Sequence, residues 1–291
     1  MHPPENSDPP GFLAASTVAV IGLGLMGSSL ALALQGQCKA VLGLDSSTEV
    51  IDQALERQIV ERCSTDPFEI LPGADIIILA VPVQSILAWI KAIPAYHHGP
   101  AIVLDLGSTK QEIVQAMQGM PPAFDPVGGH PMAGKEKLGI AHAEPGIFSR
   151  GPFMLTALER SSGRACSLAE EIVRAAGTQP VWIEPEMHDR LAAAASHLPF
   201  LLSAALVKSI PLEAKPLIGT GFRSASRLAV TPTSMIGDVL KTNRENILAS
   251  LESFLSELEL LVDLLDRQQY DTLEQMLDQI RQDHHHLTGT Q

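Results

Sequence analysis

The sequence is poor in cysteine, in aromatic residues and in positive charge. Its 291 residues include only three cysteines, odd in number and widely spaced, at Cys38, Cys63 and Cys166. This usage predicts no disulfide framework and no metal site, and it favours a reducing, cytoplasmic location. The formal net charge is −13. That charge argues against nucleic acid and anionic membrane as partners, because both require a basic face.

An uninterrupted hydrophobic run is also lacking. The most apolar stretch, residues 191–207, contains His197 and Pro199 and is therefore a poor candidate for a transmembrane helix. The first ten residues are polar and rich in proline, without the basic and apolar regions of a signal peptide. We therefore predict that residues 1–16 form a disordered tail.

Two kinds of pattern divide the chain. In the first part, short apolar runs typical of buried parallel strands alternate with helical patterns. These runs cover residues 17–21, 75–81, 101–106, 153–156 and 180–183. We predict an α/β fold, with an N-terminal doubly wound Rossmann-type domain over residues 17–184 and an all-helical C-terminal dimerisation domain over residues 185–291.

A broad apolar stripe runs along the last long helical pattern. Its members recur at intervals of three and four residues and are Leu248, Leu251, Leu255, Leu258, Val262 and Leu265. A single intramolecular contact rarely needs so wide a face, so we expect a homodimer formed through this domain. A fully intramolecular helical bundle is the alternative.

A glycine-rich turn follows the first predicted strand. Residues 22–27, Gly-Leu-Gly-Leu-Met-Gly, fit the GxGxxG pattern, and an apolar helix begins directly after them. In such a unit the first glycine allows a tight turn, the second lets the backbone approach a pyrophosphate, and the third lets helix and strand pack closely. The pattern predicts a dinucleotide site, and a tight turn that binds nothing is the alternative.

An acidic residue stands where the cofactor's ribose is expected. Asp45 lies 18 residues after Gly27, where a carboxylate accepts hydrogen bonds from ribose hydroxyls and repels a 2′-phosphate. No arginine follows it directly, so we predict NAD rather than NADP. The predicted cofactor-binding residues are Gly22, Gly24, Leu25, Met26, Gly27, Asp45, Val81 and Pro82.

Two predicted loops at the carboxyl ends of strands, 105–110 and 128–136, combine small residues with groups that can move protons. His130 could accept a hydroxyl proton as hydride leaves an alcohol, because neutral histidine is an effective base near pH 7. Ser108 could orient the histidine or the substrate. Ordinary turn and helix caps are the alternative roles of both residues.

The helical half carries further polar groups. His188 and Asp189 stand at the start of a helical pattern, and His197 lies where residues 196–199, Ser-His-Leu-Pro, break it. Arg227 follows a glycine-containing turn, and arginine can grip a carboxylate with two hydrogen bonds. A solvated helix face is the alternative for this arginine.

Together these segments resemble the prephenate/arogenate dehydrogenase family of tyrosine biosynthesis. The matching pieces are GLGLMG with Asp45, DLGSTK, GGHPMAGKE, HDR, SHLP and SRLA, and they span nearly the whole chain after the tail. The resemblance implies an NAD-dependent oxidoreductase that oxidatively decarboxylates prephenate to 4-hydroxyphenylpyruvate. Arogenate dehydrogenase, which forms tyrosine directly, is the near alternative. A β-hydroxyacid-type dehydrogenase would share only the nucleotide-binding half.

The resemblance also implies roles for individual residues. His130 matches the catalytic histidine that bonds the 4-hydroxyl of the substrate, and Ser108 matches its hydroxyl partner. Arg227 matches the arginine that grips a substrate carboxylate, and Glu136 matches an acid that shapes or gates the site. Two further histidines expected near the substrate are His188 and His197.

The chain departs from the family pattern at Phe200, where many members have a second histidine three residues after the first. This change removes a polar group near the substrate, and it bears on side-chain preference and on sensitivity to tyrosine. A non-enzymatic dinucleotide sensor would need the glycines but not the set formed by Ser108, His130 and Arg227.

Overall fold

The computed structural model describes residues 11–135 and 137–289, in which strands alternate with helices before a series of helices follows. The strands are β1 (Thr17–Ile21), β2 (Ala40–Leu44), β3 (Arg62–Ser64), β4 (Ile76–Leu79), β5 (Ala101–Asp105), β6 (Phe124–Pro131), β7 (Phe153–Ala157) and β8 (Pro180–Trp182). The helices are α1 (Leu25–Leu34), α2 (Thr48–Glu56), α3 (Pro67–Ile70), α4 (Val83–Tyr96), α5 (Gln111–Gln118), α6 (Gly163–Ala175), α7 (Pro185–Ala192), α8 (Leu198–Ser209), α9 (Thr220–Ala225), α10 (Thr233–Thr242), α11 (Arg244–Asp266) and α12 (Tyr270–Thr288).

The eight strands form one sheet in the order β3-β2-β1-β4-β5-β6-β7-β8. Neighbouring strands are parallel except β6 and β7, which run antiparallel. Side chains alternate between the two faces, so Val18 and Val20 pack in one core layer, and Ala19 and Ile21 pack in the other. The first layer includes α1 and α6, and the second includes α4 and α5. The predicted α/β fold with a doubly wound Rossmann-type domain is confirmed.

One predicted loop is partly a strand. Residues 128–136 were expected to form a loop, but Gly128, Gly129 and His130 belong to β6. A Cβ added to Gly129 would lie 2.5 Å from the backbone oxygen of Asp105, so only glycine allows this approach to β5. Sheet packing here outweighs the low strand propensity of glycine, and it places His130 near the carboxyl end of its strand.

The predicted helix break at residues 196–199 is a local change of helix type. Helix α7 continues through a π-helical turn, Ala193–His197, directly into α8. Pro199 stands in the first turn of α8, and it has no N–H to donate to the preceding turn. The wider π-helical turn accommodates this missing hydrogen bond without ending the helix.

The chain divides into two compact units, one ending at Arg244 and one beginning at Glu245. The first unit contains the sheet together with α7 to α10. The second contains nearly all of α11 and α12, and in the single chain Leu255 and Leu265 of this unit are half exposed. The domain boundary expected between residues 184 and 185 stays a prediction.

The predicted disordered tail is too long at its carboxyl end. Phe12–Ala15 form a 3₁₀-helix, and Leu13 is buried in the first core layer. The Glu171 carboxylate on α6 accepts a hydrogen bond of 2.9 Å from the Leu13 backbone N–H. Burial of Leu13 and this bond fix residues that composition alone assigned to the tail, whereas residues 1–10 lie outside the described residues.

Candidate active site

The order of the sheet reverses at β1, which has β2 on one side and β4 on the other. In open α/β sheets, ligands bind beyond the carboxyl ends of the strands at such a point. A cavity of about 430 Å³ lies there and is lined by residues that follow β1, β2 and β4. Five of the predicted cofactor residues line it, namely Gly22, Gly24, Asp45, Val81 and Pro82.

The three glycines of the turn have different surroundings. Gly22 has a φ of +92°, and an added Cβ would lie 2.6 Å from the backbone oxygen of Ala80. A Cβ on Gly27 would lie only 1.9 Å from the Gly22 oxygen, whereas a Cβ on Gly24 would meet no heavy atom within 4 Å. Gly22 and Gly27 are therefore required by the turn itself, and Gly24 leaves space open beside the start of α1, where a pyrophosphate fits.

Asp45 is held at the mouth of this cavity by the turn. Its Oδ2 accepts a hydrogen bond of 2.8 Å from the Leu23 N–H, and its Oδ1 accepts one of 3.0 Å from the Ser47 N–H. In the described chain neither lysine nor arginine lines the cavity. A 2′-phosphate would thus face a carboxylate without a compensating cation, which favours a ribose diol.

The remaining predicted cofactor residues do not line the cavity. Leu25 is buried at the start of α1, Met26 packs against the first core layer, and Gly27 contacts the turn. Thr65, which follows β3, and Trp89 on α4 also line the cavity, although neither was predicted as a cofactor residue. Their positions after neighbouring strands were the available signal.

A second cavity, of about 350 Å³, contains the predicted acid–base groups. Ser108, His130 and His197 line it together with Phe200 and the apolar side chains of Leu228, Ile236 and Val239. The structure thus brings together three of the predicted residues, although in the described chain no hydrogen bond joins Ser108 to His130.

The other predicted substrate residues lie elsewhere. Arg227 is exposed and is not a lining residue, although the adjacent Leu228 is. Glu136 lies outside the described residues. His188 is buried directly behind His130 and does not line the cavity.

His130 is the first member of a buried relay. Its Nδ1 lies 2.9 Å from His188 Nε2, and His188 Nδ1 lies 2.8 Å from Asp189 Oδ1. Asp189 Oδ1 also accepts a bond from the Lys110 N–H, and Oδ2 accepts one from the Gln111 N–H. Asp189 therefore caps the start of α5 and connects α7 to it.

The relay fixes the protons on both rings. Because the Asp189 carboxylate only accepts, His188 carries its proton on Nδ1 and has a lone pair on Nε2. That lone pair accepts the Nδ1–H of His130, so the lone pair of His130 is on Nε2. His130 is thus prepared to accept a proton from a ligand in the cavity.

Burial keeps His130 in its neutral form. Burial holds the pKa of His130 well below 6.5, and the electrostatic effects of His188, Lys110 and His197 lower it further. The base is therefore unprotonated at neutral pH and available for proton transfer.

A buried ion pair supports the strand end beneath His130. Lys110 and Asp105 are fully buried, and the Lys110 ammonium bonds the Asp105 carboxylate. The same carboxylate accepts bonds from the Gly107 N–H, at 2.7 Å, and the Gly129 N–H, at 3.1 Å. Asp105 thus holds the loop that carries Ser108 against the strand that carries His130, a role that the sequence did not indicate.

Comparison with known proteins agrees with this architecture. The family model for the prephenate dehydrogenase nucleotide-binding domain matches residues 30–181, and the model for the prephenate dehydrogenase dimerization domain matches residues 184–279. This chain belongs to the prephenate dehydrogenase family. The resemblance found in the sequence is confirmed.

Individual members of the prephenate dehydrogenase family align along most of the chain. Prephenate dehydrogenase of Lactococcus lactis is 31% identical over 254 residues, which cover 83% of this chain and 69% of that protein. The Bacillus subtilis enzyme is 29% identical and covers 88% of this chain and 72% of its own length.

Solved structures of the prephenate dehydrogenase family share the fold. Prephenate dehydrogenase from A. aeolicus, in complex with hydroxyphenyl propionate and NAD+, has a TM-score of 0.87 and 26% identity, covering 95% of this chain and 99% of that one. Synechocystis arogenate dehydrogenase has a TM-score of 0.79 and 29% identity, covering 94% and 100%.

Proposed function

We propose that this chain is an NAD-dependent prephenate dehydrogenase. It converts prephenate and NAD+ into 4-hydroxyphenylpyruvate, CO2 and NADH. The observation that carries this proposal is the buried His130–His188–Asp189 relay, which leaves a neutral base in a cavity beside the carboxyl ends of the strands. A nucleotide-binding protein without chemistry would have no need of this relay.

The first cavity fits a bound dinucleotide. Gly24 leaves room for the pyrophosphate at the start of α1, and the fixed Asp45 carboxylate suits the ribose hydroxyls. When bound there, NAD+ supplies the acceptor for the hydride that leaves the ring carbon bearing the 4-hydroxyl.

His130 handles the hydroxyl proton. Its Nε2 lone pair accepts the 4-hydroxyl proton as hydride leaves, and Asp189 stabilises the resulting positive charge through His188. The ring carboxylate is then lost as CO2, its bonding electrons make the ring aromatic, and the phenolate oxygen takes the proton back. Because aromatisation supplies driving force, the protein mainly has to orient the substrate and accept the proton.

We assign the remaining roles as the resemblance implies them. Ser108 lies in the cavity beside His130 and orients the substrate hydroxyl. Arg227 grips a substrate carboxylate and Glu136 shapes the site. His188 is a positioning residue, because it acts through His130.

We further propose a cytoplasmic homodimer formed through the helical domain. By length and composition the helical stretch Pro185–Ser209 could cross a membrane, but it carries His188 and His197, which are buried in the active site. Its exposed apolar side chains, together with those of α11, are better explained by contact with a second copy. Light scattering should give twice the 31.1 kDa chain mass, and a monomer at micromolar concentration would contradict the dimer.

Arogenate is the second candidate substrate. It differs from prephenate only in its side chain, which is alanyl rather than pyruvyl. Similarity to Synechocystis arogenate dehydrogenase and to the cyclohexadienyl dehydrogenase of Zymomonas mobilis, at 29% and 27% identity, supports it. The apolar Phe200 in the cavity offers no hydrogen bond to either side chain and therefore gives neither substrate a polar contact at this position.

NADH formation by the purified protein decides between these substrates. The assay combines NAD+ with either prephenate or L-arogenate, and the products are identified by mass. Activity with prephenate alone supports the proposal, and activity with arogenate alone replaces it with the second candidate. Silence with both, while NAD+ still binds, refutes both substrates.

A further inference from the structure

Asn243 follows α10 and is buried between α7 and the π-helical turn that carries His197. Its side-chain Nδ2 lies 2.7 Å from the backbone oxygen of Asp189 and 3.2 Å from His197 Nδ1. A backbone carbonyl oxygen can only accept a hydrogen bond. The amide nitrogen of Asn243, rather than its oxygen, must therefore face Asp189.

The orientation of this amide determines the proton on His197. The same nitrogen faces His197 Nδ1, so Nδ1 accepts and the ring proton is on Nε2. His197 is almost completely buried, and within the described chain its Nε2 has no hydrogen-bond partner. Because His197 lines the second cavity, a ligand oxygen in that cavity would satisfy a donor that is otherwise unpaired.

We propose that Asn243 is a positioning residue that holds His197 as the Nε2–H tautomer, so that a neutral N–H donor meets an oxygen atom of the substrate. The identity of that substrate rests on the proposed function, whereas the tautomer is a property of the free protein. His197 and His130 thus have opposite hydrogen-bonding roles in one cavity. The first donates to the substrate, and the second accepts its proton.

The surroundings keep this donor neutral. Burial lowers the pKa of His197 to about 4, with Asp189 opposing the shift and His188 adding to it. A neutral Nε2–H can donate a hydrogen bond to a carboxylate or carbonyl oxygen without acting as an acid beside the base His130. The opposite tautomer would direct a lone pair at the substrate oxygen and repel it.

The tautomer can be observed directly in the free protein. Two-bond ¹H–¹⁵N spectra of protein with ¹⁵N-labelled histidine distinguish the two tautomers, and the His197 signals are assigned by their loss in His197→Gln. We expect Nε2–H in the native chain. Asn243→Asp places a carboxylate oxygen beside Nδ1 and should move the proton to that nitrogen. Nδ1–H in the native chain, or an unchanged spectrum in Asn243→Asp, would overturn the proposal.

Two replacements of His197 test the donor with substrate. Glutamine places its amide near the position of Nε2, whereas asparagine places its amide near Nδ1, facing the Asn243 nitrogen. We expect His197→Asn to raise KM for prephenate by about tenfold or more, and His197→Gln by less than about threefold. Equal effects of both variants would overturn the proposed donor.

Asn243→Ala should raise the same KM by about tenfold without changing the KM for NAD+. The matched control is Ser203→Ala, which removes a buried hydrogen bond of 2.7 Å to the Ala225 oxygen but does not line the cavity. An unchanged KM in Asn243→Ala, or an equal rise in the control, would contradict a positioning role. If the native protein is inactive with both substrates, the proposed function fails while the spectra still decide the tautomer.

Discussion

Replacing His188 with leucine tests the buried relay. His188 is almost completely buried, and it joins His130 to Asp189 through bonds of 2.9 and 2.8 Å. Leucine fills a similar volume but leaves the Nδ1 of His130 without an acceptor and removes the link to the carboxylate. His130 can then carry its proton on Nε2, where it cannot act as a base.

The expected loss follows from the bonds removed. A hydrogen bond to a charged group contributes roughly 1.5–3 kcal/mol, which corresponds to about 10- to 100-fold in rate. The whole contribution of a general base is about 10²–10⁴-fold. We therefore expect His188→Leu to lower kcat by about 100-fold or more, while NAD+ binding stays near normal because the first cavity is untouched.

Initial rates of NADH formation at saturating prephenate provide the assay. His188→Gln is the partner variant, because its side-chain oxygen can still accept from His130 and should preserve part of kcat. His97→Leu is the matched control, since His97 is also buried and bonded, at 2.9 Å to the Ala74 oxygen, but it follows α4 and lines neither cavity. A folded His188→Leu protein whose kcat is within about threefold of native would refute the relay.

Three further predictions concern the glycine turn, the substrate carboxylate and the pH dependence of stability. Gly24→Ala should keep the native melting temperature but weaken NAD+ binding, measured by calorimetry, by about tenfold or more. Gly27→Ala should instead prevent folding, because its Cβ would lie 1.9 Å from the Gly22 oxygen. Equal behaviour of the two variants would contradict the assigned roles. Arg227→Ala should raise KM for prephenate by about tenfold with little change in kcat, and an unchanged KM would remove Arg227 from the carboxylate clamp. The pKa of His197 falls from 6.5 to about 4 on folding, so between these pH values the unfolded chain binds a proton at His197 that the folded chain does not. The contribution of His197 to the free energy of unfolding is therefore complete above pH 6.5 and declines by about 3 kcal/mol as the pH falls to 4. In urea unfolding, His197→Gln should lack this part of the decline.

Much of the nucleotide half could be predicted from sequence because its signals are local. The strand, the three glycines and the spacing to Asp45 lie within 29 residues, 17–45, and each residue acts through backbone geometry close to it. The positions of His130 and Ser108 at strand ends followed from the same logic. Even here the boundary failed at Gly128 and Gly129, since their strand forms only through close packing against β5.

The acid–base relay could not be predicted because its partners are distant in the chain. His130 and His188 are 58 residues apart, and Asn243 and His197 are 46 residues apart. Their contacts depend on how α7 packs against α5 and how α10 packs against α4, and no local pattern encodes that packing. A family resemblance marked His188 and His197 as near the substrate, but only the geometry separates a residue behind the base from one in the cavity.

Asp189 serves the site through two chemically different groups, with different tolerance to mutation. Its side-chain carboxylate orients His130 through His188, and therefore a single codon change at position 189 can abolish that orientation. Its backbone oxygen orients the Asn243 amide, which faces His197, and every amino acid has this oxygen. Selection at position 189 can thus alter the base while the donor persists, so a variant that has lost turnover should still recognise its substrate.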